Sequence, residues 1–200
     1  MNNIIQWLEQ SSKTINKELL GQSVAYAVEL CRLGVKPGDK VGVFFDNSPT
    51  YVSMLLAIWR LNAVVAPLAP KSLRQSRYVK KTALTTERYR IKVLIYSGST
   101  NEEVLLEWMR LCDALAFSLD HFQQGFMSTH ATIGHYEHIQ PEDIAVFKIP
   151  QTEDVSMQDE LITHAMLLQH LTESTGLTSH FTTKLLSLIT LPLSIRSQAC

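Results

Sequence analysis

Apolar side chains at Leu20, Val24, Ala27, Val28, Cys31 and Leu33 recur at the spacing that lays one stripe along a helix, so residues 17–33 are predicted helical. Gly34 then stands where a chain leaves a helix through a left-handed residue. Pro37-Gly38-Asp39 reads as a turn, and the β-branched and aromatic residues at 40–45 read as a strand. Asn47-Ser48-Pro49 supplies a helix cap with proline in the first turn, and residues 50–61 are apolar nearly all the way round, which marks a buried helix. A strand at 64–68, a basic helix at 72–84, a strand at 92–96 and a helix at 101–111, capped by Asn101, continue the alternation. The pattern predicts an α/β fold with a mostly parallel, flavodoxin-like sheet and helices on both faces.

Beyond Asp113 the signals thin. Residues 114–119 fit a short strand, and 121–140, with two glycines and no period, fit a loop. Pro141-Glu142-Asp143 leads into a strand at 144–148, followed by a loop at 149–158, a helix at 163–177 and an apolar final strand at 184–193. Residues 51–70 are almost continuously apolar, but Arg60, Asn62, Pro67 and Pro70 favour a buried helix, a turn and a strand over a membrane span. One domain over residues 1–200 is expected.

Composition narrows the partners. With 46% hydrophobic and 18% charged residues and a formal charge of -1, no global field points to nucleic acid or an anionic surface. Cys31, Cys112 and Cys200 make no even disulfide framework, which favours a reducing, cytoplasmic setting, and the first ten residues show no secretory leader. Cys31 and Cys112 lie on apolar stripes and are expected in the core, with Cys200 at the chain end.

Several local features suggest chemistry and have plainer readings. Ser97-Gly98-Ser99-Thr100 sits where a phosphate loop would, yet it has one glycine and is followed by Glu102-Glu103, so a plain turn is expected. Lys71, Arg74, Arg77, Lys80, Lys81, Arg88, Arg90 and Lys92 form a basic cluster, either a solvated face or a surface for an anionic partner. His130, His135 and His138 lack the spacing of a zinc site, so no metal is expected.

The order and spacing of Thr14 to Leu19, Gly34-Val35-Lys36-Pro37-Gly38-Asp39-Lys40-Val41, Asn47-Ser48-Pro49, Leu55-Leu56-Ala57 and Val64 to Pro70 resemble the amino-terminal part of AMP-forming adenylating enzymes. These include acyl-CoA synthetases and fatty acyl-AMP ligases. The resemblance implies the first subdomain of such an enzyme and a chemistry in which a carboxylate attacks the α-phosphate of ATP, with magnesium. In the family a Gly-rich loop with a lysine cradles the triphosphate directly after a strand.

Here that loop falls on residues 149–160, between the strand at 144–148 and Thr163-His164, which resemble the family's T-H pair. The family's glycines land on Thr152, Val155 and Asp159, and its lysine on Gln158. Glu153, Asp154, Asp159 and Glu160 put carboxylates there instead, with nothing in the adjacent sequence to compensate. Two like charges about 4 Å apart repel by about 4 kcal/mol at an effective dielectric near 20, so no ATP or magnesium is expected. Thr163 and His164 read as a helix start rather than a catalytic pair.

The leading expectation is a truncated, non-catalytic synthetase-like domain that binds a protein partner, a second copy of itself, or an acyl ligand. Its expected interaction residues are Leu186, Leu188, Leu191 and Leu193 on an uncovered last strand, with Arg74, Arg77 and Lys81 on the basic helix. The alternatives are one part of a split adenylating ligase completed by a second chain, and a gene remnant.

Overall fold

The computed structural model describes residues 3–10, 17–44, 49–68, 76–97, 102–126, 139–149 and 160–172, together with Leu185 and Ile189. The elements are α1 (Ile4–Gln10), α2 (Lys17–Arg32), β1 (Lys40–Phe44), α3 (Pro49–Arg60), β2 (Val64–Leu68), α4 (Ser76–Arg88) and β3 (Ile91–Tyr96), then α5 (Glu102–Leu111), β4 (Leu115–Ser118), α6 (Leu119–Phe126), β5 (Ile144–Lys148), β6 (Glu160–Thr163) and α7 (His164–Thr172).

Six strands form one sheet in the order β4-β3-β1-β2-β5-β6. The first five strands run parallel, and β6 pairs antiparallel with β5. The run β2-β1-β3-β4 has the flavodoxin-like order, with β5 placed beside β2 rather than beyond β4. Parallel strands must be joined by crossovers, and α3, α4 and α5 supply them. One face of the sheet buries Tyr26, Leu30, Met54, Leu55, Trp59, Phe122 and Leu167, and the other buries Val79, Ala83, Leu105 and Trp108.

Local chemistry explains the joints. Gly34 and Gly38 adopt φ of 82° and 80°, a conformation open to glycine without a Cβ clash. Asn62 stands left-handed at φ 52° before β2, and its Nδ2 donates to Asp143 Oδ2 at 2.8 Å, which ties the α3–β2 turn to the turn before β5. Gly42 in central β1 leaves room for both neighbours, since a Cβ there would lie 3.0 Å from Leu68 Cδ1 and 3.0 Å from Leu94 Cδ1. Arg60 is buried, and it is neutralised by Glu9 of α1 at 2.8 Å and held by Ser23 Oγ of α2 at 2.8 Å, so one charged side chain joins three helices.

Four expectations need correction. Residues 121–126, expected in a loop, and Leu119, expected at the end of a strand, belong to the helix α6, because Leu119 and Phe122 share an apolar face against α2, where Phe122 meets Tyr26 edge to face at 5.8 Å. The hairpin strand β6 precedes α7, whose start is His164; ladder bonds to β5 override a weak local pattern there. Leu185 and Ile189 are helical and fully buried in the core, where a strand with an uncovered face was expected. Both side chains join the main core cluster, so at these two positions the chain itself covers the apolar residues. Cys31 is exposed while Cys112 is buried, because Leu30, next to Cys31 on α2, takes the inward position.

Candidate functional site

The site at issue is the mouth of the loop that joins β5 to β6. Strand β5 ends at Lys148, and β6 begins directly opposite it, so Lys148 and Glu160 are register partners. Their side chains meet at 3.2 Å, and Lys148 is only 9% exposed. Glu160, one of the four acids of the degenerate loop, is therefore compensated, contrary to the expectation from adjacent sequence. The physical reason is the antiparallel register, which brings together residues twelve positions apart. Thr152, Val155, Gln158 and Asp159 lie outside the described residues, as do Glu153 and Asp154.

At the other end of the hairpin, the start of α7 is already satisfied. His164 N donates to Asp143 O at 3.0 Å, Ala165 N to Pro141 O at 2.8 Å, and Met166 N to Thr163 Oγ1 at 3.2 Å. Thr163 thus caps the helix as its position suggested. These N–H groups would otherwise be the ones to receive an anion, and here the chain's own oxygens occupy them.

His164 was expected only to start a helix, yet it is fully buried. Its ring meets Trp59 edge to face at 6.2 Å, and neither ring nitrogen has a hydrogen-bond partner among the described residues. Burial pushes its imidazole down to about 4, against a smaller upward pull from Asp143. Trp59 in turn donates from Nε1 to Ala145 O at 2.8 Å, so α3 holds both β5 and the start of α7. Neither contact shows in the sequence pattern, because Trp59 and His164 meet only through the packing of α3 on the sheet.

A groove of about 580 Å³ opens beside Lys40, Asn62, Val64, Asp143, Phe147 and Leu161. Lys40, Val64 and Ile144 begin their strands, so this groove belongs to the amino ends of the sheet. Ligands of open parallel sheets bind outside the carboxyl ends, which makes the groove a poor nucleotide site. Its Lys40 is engaged by Tyr89 O at 3.2 Å and lies over the Phe147 ring.

Of the remaining candidates, Lys80, Arg88 and Arg90 are exposed, whereas Lys92 is drawn away to Asp39 at 2.8 Å. Lys92 is therefore committed within the fold, while the other members of the basic cluster with described side chains are exposed. Lys71, Arg74, the side chains of Arg77 and Lys81, Leu186, Leu188, Leu191 and Leu193, residues 98–100, His130, His135, His138 and Cys200 lie outside the described residues. Among the described residues no group of His, Cys, Asp and Glu is arranged to hold a metal. No described helix is long and apolar enough to cross a membrane.

The sequence profile of the AMP-binding enzyme family matches residues 9–147. The fold is similar to an artificially fused adenylation and carrier-protein di-domain, NpsA-ThdA from Klebsiella oxytoca, at 17% identity and TM-score 0.63, with 84% of this chain and 31% of that one covered. A fatty acyl-adenylate ligase from L. pneumophila, solved with acyl adenylate and pyrophosphate, is similar at 17% identity and TM-score 0.61, over 84% of this chain and 31% of that one. The inhibitor-bound N-terminal domain of FACL13 from Mycobacterium tuberculosis is similar at 14% identity and TM-score 0.70, over 94% of this chain and 55% of that one. The 200 residues thus correspond to only part of each structure. No curated protein matches the chain.

Proposed function

The chain belongs to the AMP-binding enzyme family, and on that premise we propose that it is a non-catalytic adenylation-like domain that binds a protein partner or an acyl ligand without making an adenylate. The observation that carries the reading is the loop after β5, where Thr152, Val155, Gln158 and Asp159 replace the residues a triphosphate needs. Without glycines, backbone N–H groups lose their close approach to phosphate oxygens, and without the lysine the anion loses its counter-charge. Lys148, the buried cation where the loop begins, is committed to Glu160. The residues present do not fit ATP and magnesium. A cytoplasmic setting goes with this reading, on the ground of the unpaired cysteine pattern.

Calorimetry with ATP and magnesium, joined to a pyrophosphate-exchange assay over a set of carboxylic acids, tests it. The expected result is neither binding nor exchange. Binding tighter than millimolar, or exchange with any acid, overturns the reading. A second expectation concerns rescue: Gln158→Lys alone leaves adenylate formation at the parent level, since cooperating groups do not act singly. A rise above the parent would show that the rest of the site is intact.

A second reading is a piece of a split ligase completed by a second chain. Affinity purification under mild salt separates the two. A companion that restores adenylate formation in the mixture supports the split ligase, and a companion that leaves the mixture inactive supports the binding domain.

A further inference from the structure

Helix α4 turns a cationic stripe, with a leucine at its centre, away from the sheet. Val79, Thr82, Ala83 and Thr86 are buried, which fixes the inward side, while Lys80, Leu84 and Arg88 are exposed. At about 100° per residue, the four-residue steps keep these three within one narrow stripe on the opposite side. Leu84 is 67% exposed, more than any other large apolar side chain among the described residues. Glu87, the only acid of the helix, falls on one flank. The cations that serve the fold are each engaged, Arg60 by Glu9, Lys92 by Asp39 and Lys148 by Glu160. Lys80 and Arg88 have no carboxylate partner among the described residues, and Arg88 lies over the Tyr89 ring at 5.3 Å, a contact that uses the face of its guanidinium and not the N–H edge.

We infer that this stripe docks an acidic amphipathic helix of a partner protein, one that sets a carboxylate on either side of an apolar side chain at four-residue steps. Lys80 and Arg88 then meet the two carboxylates, and Leu84 is covered by the apolar side chain between them. A second copy of α4 would set cation against cation, which repels. Among the described helices none places two acids at those steps around an apolar residue, so the occupant is another protein.

Charge also favours a single helix over an anionic membrane. Helix α5 packs beside α4 on the same face of the sheet and brings Glu103 and Glu107 to the surface there, so a flat anionic layer would meet those acids and Glu87 together with the cations. A partner helix meets the stripe alone. The inference deepens the protein-binding half of the proposed function and rests on it for its role. A chain that binds such a helix and also exchanges pyrophosphate would keep the inference and defeat that reading, so the two fail separately.

Fluorescence anisotropy on the full chain tests the inference with a designed helical peptide of about 20 residues that carries glutamates four positions before and four after a central leucine, and with a counterpart that has lysines in their place. The parent is expected to bind the glutamate peptide at sub-millimolar concentration in low salt, at least about tenfold more tightly than the lysine peptide. Lys80→Glu combined with Arg88→Glu is expected to exchange that preference, which a damaged fold would not do. Leu84→Ser is expected to weaken the glutamate peptide about fivefold and to leave the preference in place. High salt narrows the difference between the peptides. Vesicles of phosphatidylserine and phosphatidylcholine are the rival probe, and adsorption to them without preference between the peptides gives the stripe to a membrane and overturns the inference. A chain that binds neither peptide, or whose preference survives the double reversal, also overturns it.

Discussion

Trp59→Ala is expected to lower the unfolding free energy by about 3 to 5 kcal/mol, the range for deleting a large buried aromatic side chain. Trp59 is fully buried in the core between α3 and the sheet, and its indole donates to Ala145 O at 2.8 Å. The substitution therefore opens a cavity and also leaves a buried carbonyl without its donor, two effects that act in the same direction. A domain of ordinary stability, about 5 to 15 kcal/mol, would be brought close to its unfolding threshold. Urea unfolding followed by circular dichroism measures the loss, with Trp59→Phe as the companion that removes the donor and keeps most of the volume. Trp59→Phe should fall between the parent and Trp59→Ala. A loss under about 1 kcal/mol for Trp59→Ala would mean that the site relaxes and that Trp59 does not brace β5.

Acidification is expected to destabilise the parent chain through His164, and His164→Leu is expected to remove that part of the response. The folded state holds the imidazole near 4, while the unfolded chain protonates it at its ordinary value of 6.5. The folded pKa is the lower one, so the unfolded state binds more protons between these values, and stability falls as pH drops from about 6.5 to about 4. Above that window the imidazole is neutral in both states, and below it the penalty is complete. The full size is about 3 kcal/mol, from about 1.36 kcal/mol per unit. Carboxylates add their own acid response, so the informative quantity is the difference between parent and variant across pH. Leucine also removes two buried nitrogens that lack partners among the described residues, which spares their desolvation at every pH. Stability curves that run parallel for His164→Leu and the parent from pH 7 to pH 4 would show that the ring titrates in the fold at its ordinary value, and would overturn the lowered pKa.

Both effects converge on one structural unit. Trp59 holds β5 by a hydrogen bond and packs its ring edge against His164 at the start of α7. Asp143 completes the brace, since its carboxylate takes Asn62 Nδ2 and Gln140 N while its carbonyl takes His164 N. On the proposed reading this frame surrounds the loop where Thr152, Val155, Gln158 and Asp159 stand in place of the family's phosphate-binding residues.

Periodicity and turn chemistry were enough for the existence and type of the elements from residue 17 to 118, although the helix expected at 72–84 runs as α4 to Arg88. The strand at 64–68 and the buried helix before it are where the apolar pattern put them, and Gly34 and Gly38 take the left-handed conformations their positions implied. These elements are long, strongly patterned and bounded by residues with specific backbone demands, so local information suffices. The missed elements are those whose stability comes from elsewhere. Strand β6 is four residues long and exists because β5 offers it a ladder, and α6 has eight residues held by an apolar face against α2. Short elements carry little pattern, and their partners are distant in sequence.

The amino-acid sequence by itself determined the α/β class and the family, because both are a matter of residue type in order. Tertiary structure decided the rest. It decided that Lys148 answers Glu160, that Lys92 leaves the basic cluster for Asp39, that Leu185 and Ile189 are buried, and that His164 lies against Trp59 without a polar partner among the described residues. The physical reason is common to all four. Charge compensation and burial depend on distances through space, and those distances are set by strand register and by which helix lies on which face, neither of which is encoded at any single position.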